Sequence, residues 1–181
     1  YEDCPPHPSW LTPPEWLGAI QHSGQLHLLS TQPANKLHSQ LDHGSISRAT
    51  KINGHEPVLI NAEDAAVRGI VDGAIVRVFN QRGACLCGAQ LTEDIMPGVL
   101  MIATGAWFDP DINGDSGLDC KHGNPNVLTP DRGTSSLAQG PAAHSCLVEV
   151  EAWTGAPVLV TAFTAPEIVQ SKKGPMRTRN A

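Results

Sequence analysis

The stretch EPVLINAEDAAVRGIVDGAIVRVFNQRGACLCGA, residues 56–89, carries the clearest secondary-structure pattern in the chain. Its apolar start predicts a short buried strand, Pro57–Ile60. A compact helix is predicted next at Asn61–Gly69, because Asn is a good N-cap and Gly a common stop. Asp72-Gly73 predicts a turn. Two strands joined by a hairpin turn follow, with the strands at Ile75–Phe79 and Ala84–Leu91 and the turn at Asn80–Gly83.

Outside this stretch the pattern is again one of short strands. Apolar or alternating runs predict further strands at Leu26–Ser30, Val99–Ile102 and Leu147–Glu151, with another candidate at Val158–Val160. A polar loop is predicted between Thr31 and Ser47. Short strands, one compact helix and no regular alternation of strand and helix favour a closed β-barrel over a parallel α/β fold. We therefore predict a mainly β domain with short helices over residues 26–165.

Both ends of the chain differ from this pattern. Residues 1–25 form an arm rich in Pro and Trp, for which one helical turn is predicted after Thr12, with Glu15 three residues on. Because two exposed Trp side chains are unfavourable, we expect the arm to pack on a missing part of the molecule. Residues 166–181 are expected to be a disordered tail. The first residue is Tyr1 rather than Met, so we expect a fragment of a longer protein.

Composition narrows the range of partners. The net charge of −6 disfavours binding to nucleic acid or to an anionic membrane surface, both of which need a basic face. Neither a membrane-length apolar run nor a signal-peptide pattern is present, which predicts no membrane insertion. The cysteines number five, an odd count, and two of them alternate on one strand, so a disulfide framework is not expected. Free thiols favour a cytoplasmic location over a periplasmic one.

Three polar loops are the candidate binding segments. We name them the first loop (Ser30–Gln40), the second loop (Cys120–Thr129) and the third loop (Leu137–Cys146). Hydroxyl and amide groups that follow a strand can bind phosphate or the edge of a heterocycle. The alternative is that the Ser, Thr and Asn side chains only cap their own loops, which is a common arrangement.

No metal centre or catalytic group is predicted. Cys120 and His122, like His144 and Cys146, are separated by one residue, whereas zinc sites use wider spacings. The chain also lacks a nucleophile elbow, a phosphate-binding P-loop and the dinucleotide fingerprint G-x-G-x-x-G.

Four blocks of sequence together resemble a known family. They are LSTQPANKLHSQL, residues 56–89 quoted above, MPGVLMIATGAWFDP, and CKHGNPNVLTPDRGTSSLAQG followed by HSCLVEVE. In order and spacing they are similar to the last domain of enzymes that carry bis(molybdopterin guanine dinucleotide). The segments LHSQL, GAWFDP, CKHGNPNVLT and TSSLAQG resemble the sequences of one branch of these enzymes, the dimethyl sulfoxide, trimethylamine N-oxide and biotin sulfoxide reductases. The resemblance runs from about Leu26 to Trp153.

The resemblance implies a double-psi β-barrel of the aspartate decarboxylase-like kind, whose loops bind the cofactor together with missing domains. The first loop would line one guanosine-diphosphate tail, through Ser30, Thr31, Gln32, Leu37, His38, Ser39 and Gln40, the last three near the pterin. The second loop would contact a pterin through His122, Gly123, Asn124 and Asn126. The third loop would reach the second dinucleotide through Gln139, Gly140 and His144. At the position of His144, related enzymes often carry Lys.

The resemblance also implies the activity. The expected reaction is the two-electron reduction of an S-oxide or N-oxide, with the molybdenum ligand, a Ser, on an earlier domain. The 181-residue chain alone is therefore not expected to be active, and its partners would be the remaining domains of the parent chain and the small oxide substrate. Two alternatives stay open: a free-standing barrel that binds a nucleotide or a protein, and a small self-contained barrel enzyme such as a decarboxylase.

Overall fold

The computed structural model describes residues 1–18, 24–112, 114 and 116–169. Six strands of this part close into one barrel in the order β1-β5-β2-β4-β3-β6. Their bounds are β1 Leu26–Leu29, β2 Pro57–Asn61, β3 Ile75–Asn80, β4 Gly83–Thr92, β5 Val99–Ile102 and β6 Leu147–Ala152. Two helices, α1 Ser45–Ala49 and α2 Ala62–Ala66, and a 3₁₀ helix, Pro125–Val127, complete the regular elements of this part.

The barrel mixes parallel and antiparallel pairing. Strands β1 and β5 are parallel, as are β2 and β4, and the other neighbouring pairs are antiparallel. A parallel pair needs a crossover connection, so the chain passes over the barrel ends and leaves long loops there. This closed six-stranded barrel with few short helices confirms the predicted double-psi fold class.

Alternation along the strands fills the barrel interior. Leu26 and Leu28 of β1 and Val76 and Val78 of β3 point inward, while their neighbours are half-buried. Strand β4 is buried over six consecutive residues, because the barrel interior covers one face and a small apolar cluster that includes Leu118, Trp153 and Val158 covers the other. One cluster of buried apolar side chains thus holds all six strands together.

The stretch at residues 56–89 folds as predicted, apart from the helix end. The Asn61 side chain accepts a hydrogen bond from the Glu63 N–H at 2.9 Å, which confirms the N-cap. Helix α2 ends at Ala66, and a tighter turn leads to Gly69, whose φ is +65°. The hairpin is confirmed, since Asn80 pairs with Gly83 across it.

Three local predictions were wrong. No helical turn follows Thr12, and the Glu15 carboxylate that was expected to cap it bonds Arg82 and the Leu147 N–H. Val158–Val160 is not a strand: Val158 packs on a small apolar cluster, and a closed barrel offers no free edge to pair with. The predicted loop Thr31–Ser47 runs into helix α1, which is too short to leave a periodic pattern.

The arm approaches the barrel through Glu15, which bonds Arg82 at 2.5 and 2.9 Å. Trp10 remains 73% exposed and packs edge-on against Trp16. The proposed division into arm, barrel and tail stays a prediction, and residues 19–23 and 170–181 lie outside the described residues. In the part of the chain that is described, no helix has the length and apolar character that a bilayer crossing requires.

Candidate functional site

The three polar loops meet at their ends. The Ser30 N–H, at the start of the first loop, donates to Nδ1 of His144 in the third loop at 3.5 Å. The thiol of Cys146, which ends the third loop, donates to the Leu128 carbonyl of the second loop at 3.3 Å. Because Ser30 follows β1 and Cys146 precedes β6, the antiparallel pairing of these strands brings the loops together.

A fourth segment, which follows β5, joins the first loop to the second. The Trp107 indole N–H donates to the Ser39 carbonyl at 2.7 Å, and the Thr104 N–H donates to the Thr31 carbonyl at 2.8 Å. The Trp107 carbonyl in turn faces Nδ1 of His122 at 3.0 Å. Trp107 was not among the predicted site residues, because its role depends on contacts with residues far away in sequence.

His122 is the most informative residue of the second loop. Its ring is fully buried, and a carbonyl oxygen can only accept, so Nδ1 carries the proton. Burial lowers the pKa of His122, and the nearby Lys51 ammonium lowers it further, so the ring is neutral near pH 7. Nε2 is therefore an unprotonated acceptor, and no donor reaches it among the residues that the structure describes.

The other predicted residues of the second loop have visible local roles. Asn124 accepts from the Asn126 N–H at 2.9 Å and caps the 3₁₀ helix, while the Asn126 side chain is exposed. Gly123 has a φ of +89°, and a Cβ there would lie 2.8 Å from that of Glu56. The absent side chain thus lets this loop pack against Glu56. Ligand contacts by these residues stay predictions.

The third loop is held by its own bonds and by the arm. The Gln139 side-chain N–H donates to the Ser135 carbonyl at 2.9 Å, which matches the self-capping alternative for this residue. Ser145 exchanges hydrogen bonds with the Glu15 backbone at 3.0 and 3.3 Å. The Ser136 N–H donates to Asp3 at 2.6 Å.

Most predicted site residues present their side chains at the surface. Ser30, His122 and Gly123 are buried, and Thr31 and Asn124 are half-buried. The exposed ones are Gln32, Leu37, His38, Ser39, Gln40, Asn126, Gln139, Gly140 and His144. His38 adopts a φ of +49°, unusual for a residue other than Gly, at the tip of the first loop.

Cavities lie beside these loops. One of about 290 Å³ borders the first loop, lined by Pro33, Ala34 and Asn35 of that loop and by Glu56 and Met101. Another of about 480 Å³ lies beneath residues 153–161 and is lined by none of the predicted site residues. Over the described residues, no group of three or more His, Cys, Asp or Glu side chains could hold a metal ion.

Comparison with known proteins assigns the loops to a family. Residues 26–147 match the model of the molydopterin (molybdopterin) dinucleotide binding domain. The chain belongs to this family. The match starts at β1 and ends at the first residue of β6, so it contains the whole of the first and second loops and the third loop up to its end.

The relatives of this molybdopterin dinucleotide binding domain are much longer proteins. It is 46% identical over 92% of its length to the dimethyl sulfoxide/trimethylamine N-oxide reductase of Cereibacter sphaeroides. It is 50% identical over 86% of its length to the biotin sulfoxide reductase of the same organism, and 45% over 93% to the trimethylamine-N-oxide reductase of Haemophilus influenzae. The chain spans about one fifth of the length of these relatives.

A solved structure shares the fold. The acetylene hydratase of Pelobacter acetylenicus superposes on 81% of this chain with a TM-score of 0.64 and 13% sequence identity, and the match covers 21% of the hydratase chain. At this identity the likeness concerns the fold alone.

Proposed function

We propose that the chain is the cofactor-binding domain of a larger molybdenum oxidoreductase that reduces S-oxides or N-oxides. In this proposal it binds bis(molybdopterin guanine dinucleotide) jointly with other domains of the parent chain. Family membership and identities of 45–50% to reductases of this kind support the proposal. Their five-fold greater length favours it over a free-standing binding module or a self-contained barrel enzyme.

The observation that carries the proposal is the unpartnered Nε2 of His122. A buried acceptor without a donor costs about 1–3 kcal/mol, so proteins rarely retain one without a use for it. A pterin presents amino and amide N–H groups, which are the donors that such an acceptor needs. The residues present at this point therefore fit the proposed cofactor.

The three loops would divide the cofactor between them. The first loop would hold one guanosine-diphosphate tail with backbone and hydroxyl groups, since its lysine, Lys36, is buried and paired with Asp42 and Glu56. The second loop would bind a pterin through His122, Asn124 and Asn126, with Gly123 allowing its close packing. The third loop would contact the second dinucleotide through Gln139, Gly140 and His144.

The chain's own contribution is binding, orientation and exclusion of water. When bound, the cofactor supplies the two-electron oxygen-transfer chemistry, as such groups generally do. No residue of this chain is assigned a catalytic role, and the molybdenum ligand would come from another domain. The five unpaired cysteines support a cytoplasmic location, with the periplasm as the alternative.

The test measures molybdenum content in the full-length enzyme for three single variants, His38→Ala, Asn126→Ala and Gln139→Ala. Each removes one exposed polar side chain from a different loop, so each should lower cofactor retention. The melting temperature of the 181-residue chain should change little for His38→Ala and Asn126→Ala, and somewhat more for Gln139→Ala, whose amide bonds the Ser135 carbonyl. Gln81→Ala, an exposed amide in the β3–β4 turn, is the matched control and should retain normal molybdenum. Self-capping predicts the reverse, a loss of about 1 kcal/mol in the isolated chain. Normal molybdenum in all three variants would refute the assignment of these loops.

A further inference from the structure

Four charged side chains form a buried cluster beside the candidate site. Lys36 Nζ lies 2.8 Å from Asp42 Oδ1 and 2.9 Å from Glu56 Oε2, and Lys51 also pairs with both carboxylates. The side chains are between 0% and 6% exposed. Two ammonium groups and two carboxylates balance, so the cluster is neutral as a whole. We call these four residues the ionic cluster.

Stability alone does not explain such a cluster. Removing four ions from water costs several kcal/mol each, and apolar replacements of buried ion pairs are often neutral or stabilising. A buried ionic cluster can instead be explained by conformational specificity, since its charges are paired in only one of several compact conformations. The contacts of the ionic cluster indicate which conformation it selects.

The cluster connects the segments that bear the candidate site. Lys36 belongs to the first loop, and Asp42 follows that loop directly. Asp42 Oδ2 accepts a hydrogen bond from the backbone N–H of Trp107 at 2.9 Å and lies 3.8 Å from Nδ1 of His122. The Glu56 N–H donates to the His122 carbonyl at 3.1 Å. The first loop, the Trp107 segment and the second loop are thus all tied to one set of charges.

The His122 ring is surrounded by charged and aromatic side chains. Lys51, which follows α1, Asp42, and Glu56, which precedes β2, act on the ring electrostatically. Lys36 is bound to the same two carboxylates. From α1, Arg48 lies over the Phe163 ring, which packs edge-on against the His122 ring at 4.9 Å. The His43 ring lies 5.2 Å from the Trp107 ring.

We infer that Lys36, Asp42, Lys51 and Glu56 are positioning residues that hold the first loop against Trp107 and keep His122 as the neutral Nδ1–H tautomer. Its buried Nε2 is then left unprotonated, which is the form that could accept an N–H donor of a bound heterocycle. Asp42 contributes by favouring a proton on the nearer nitrogen, and Lys51 by opposing a second proton on the ring. The inference about the ligand rests on the proposed function, whereas the tautomer and the loop contact belong to the chain itself.

Nitrogen NMR on the 181-residue chain with isotope-labelled histidine tests the tautomer without any cofactor. Nδ1 of His122 should resonate as a protonated nitrogen and Nε2 as a bare one at neutral pH. Lys51→Met should raise the pKa of His122, because the ammonium no longer opposes protonation. The double variant Lys51→Met/Glu56→Gln, which leaves a neutral Lys36–Asp42 pair, should give a pKa between those of Lys51→Met and the original chain.

That ordering of pKa values separates an electrostatic role from a merely structural one. If the role were structural, the pKa of His122 would change with the loss of stability of each variant and not with the charge removed. Glu151→Gln removes a partner from the surface pair with Arg77 and should leave the titration of His122 unchanged. Protonated Nε2 in the original chain, or the same pKa in all variants, would overturn the inference. If Lys51→Met does not fold, the double variant decides alone: a pKa above that of the original chain supports the inference, and an unchanged pKa overturns it.

Loop positioning has its own readout in the Trp107 indole N–H, which bonds the Ser39 carbonyl. Asp42→Asn keeps the shape but removes the charge, and should speed hydrogen exchange of this N–H by about tenfold or more. Unchanged exchange in a folded Asp42→Asn chain would refute the positioning of the first loop. Because neither readout needs cofactor, normal molybdenum retention in the loop variants would refute the assignment of these loops as the cofactor site, and with it the ligand part of this inference, but would leave the tautomer and the loop positioning standing.

Discussion

The backbone of Gly105 approaches the carbonyl oxygen of His38 so closely that a Cβ on Gly105 would overlap it. Gly105 also has a φ of +93°, a conformation that other residues rarely adopt. Through this contact the tip of the first loop packs directly against the segment that follows β5. It therefore couples the conformation of His38 to a residue outside the predicted site.

Gly105→Ala should accordingly displace the first loop and destabilise the chain by about 2–4 kcal/mol, from backbone strain and the overlap together. The measurement is the free energy of unfolding in urea. Gly73→Ala is the matched control, since Gly73 has a φ of +77° but nothing within 4 Å of a Cβ. It should cost only about 1–2 kcal/mol, from the left-handed backbone alone. Equal losses in both variants would contradict the close contact.

Glu15→Gln should weaken the attachment of the arm. Glu15 makes two hydrogen bonds to the Arg82 guanidinium and accepts the Leu147 N–H at 2.8 Å. Both side chains are about one fifth exposed, so the expected loss in the free energy of unfolding is about 1–2 kcal/mol. The surface variant Glu151→Gln should lose less than about 0.5 kcal/mol. A loss that small for Glu15→Gln would mean that the arm is not anchored there.

The five cysteines should differ in reactivity. Cys4 is partly exposed, and Cys85, Cys87, Cys120 and Cys146 are buried. The hydrogen bond with Cys85 and burial raise the pKa of Cys87, and burial raises the pKa of Cys146, so neither forms a thiolate readily. Without reductant, a thiol reagent should therefore modify one thiol quickly in the native chain and all five in denaturant. Finding a single thiol in denaturant would reveal two disulfides and favour the periplasm.

Stability should fall on mild acidification because of two buried histidines. Burial is the main cause that lowers the pKa of both His55 and His122 below the unfolded value of about 6.5. Below that value the unfolded chain binds protons that the folded chain does not, so the free energy of unfolding decreases as the pH falls. Each histidine contributes a slope of at most about 1.4 kcal/mol per pH unit, which ends once the pH is below its folded pKa.

Urea unfolding between pH 7 and pH 5 measures this slope. His55→Gln, which can still donate to the Lys121 carbonyl as His55 Nδ1 does, should reduce the slope by the contribution of one group. A stability that is constant over this range, or that rises towards pH 5, would contradict a lowered pKa for these two histidines in the folded chain.

Local signals in the sequence predicted the elements whose determinants are themselves local. Asn61 caps α2, and the turn at Asn80–Gly83 closes the β3–β4 hairpin, because these depend on neighbouring backbone groups. The helical turn after Thr12 failed for the opposite reason. Its capping carboxylate, on Glu15, is held by Arg82, and no local pattern reveals so distant a partner.

The sequence by itself determined the mainly β class, the six strands and, through resemblance, the family. Alternating apolar residues and turn residues act over a few positions, so they can be recognised without coordinates. Tertiary structure alone decided that Lys36, Asp42, Lys51 and Glu56 are buried as one neutral cluster. It alone decided also that Nε2 of His122 is a bare acceptor, because the Trp107 carbonyl occupies Nδ1. Protonation, burial and charge pairing depend on neighbours brought together by barrel closure, and these are not adjacent in the chain.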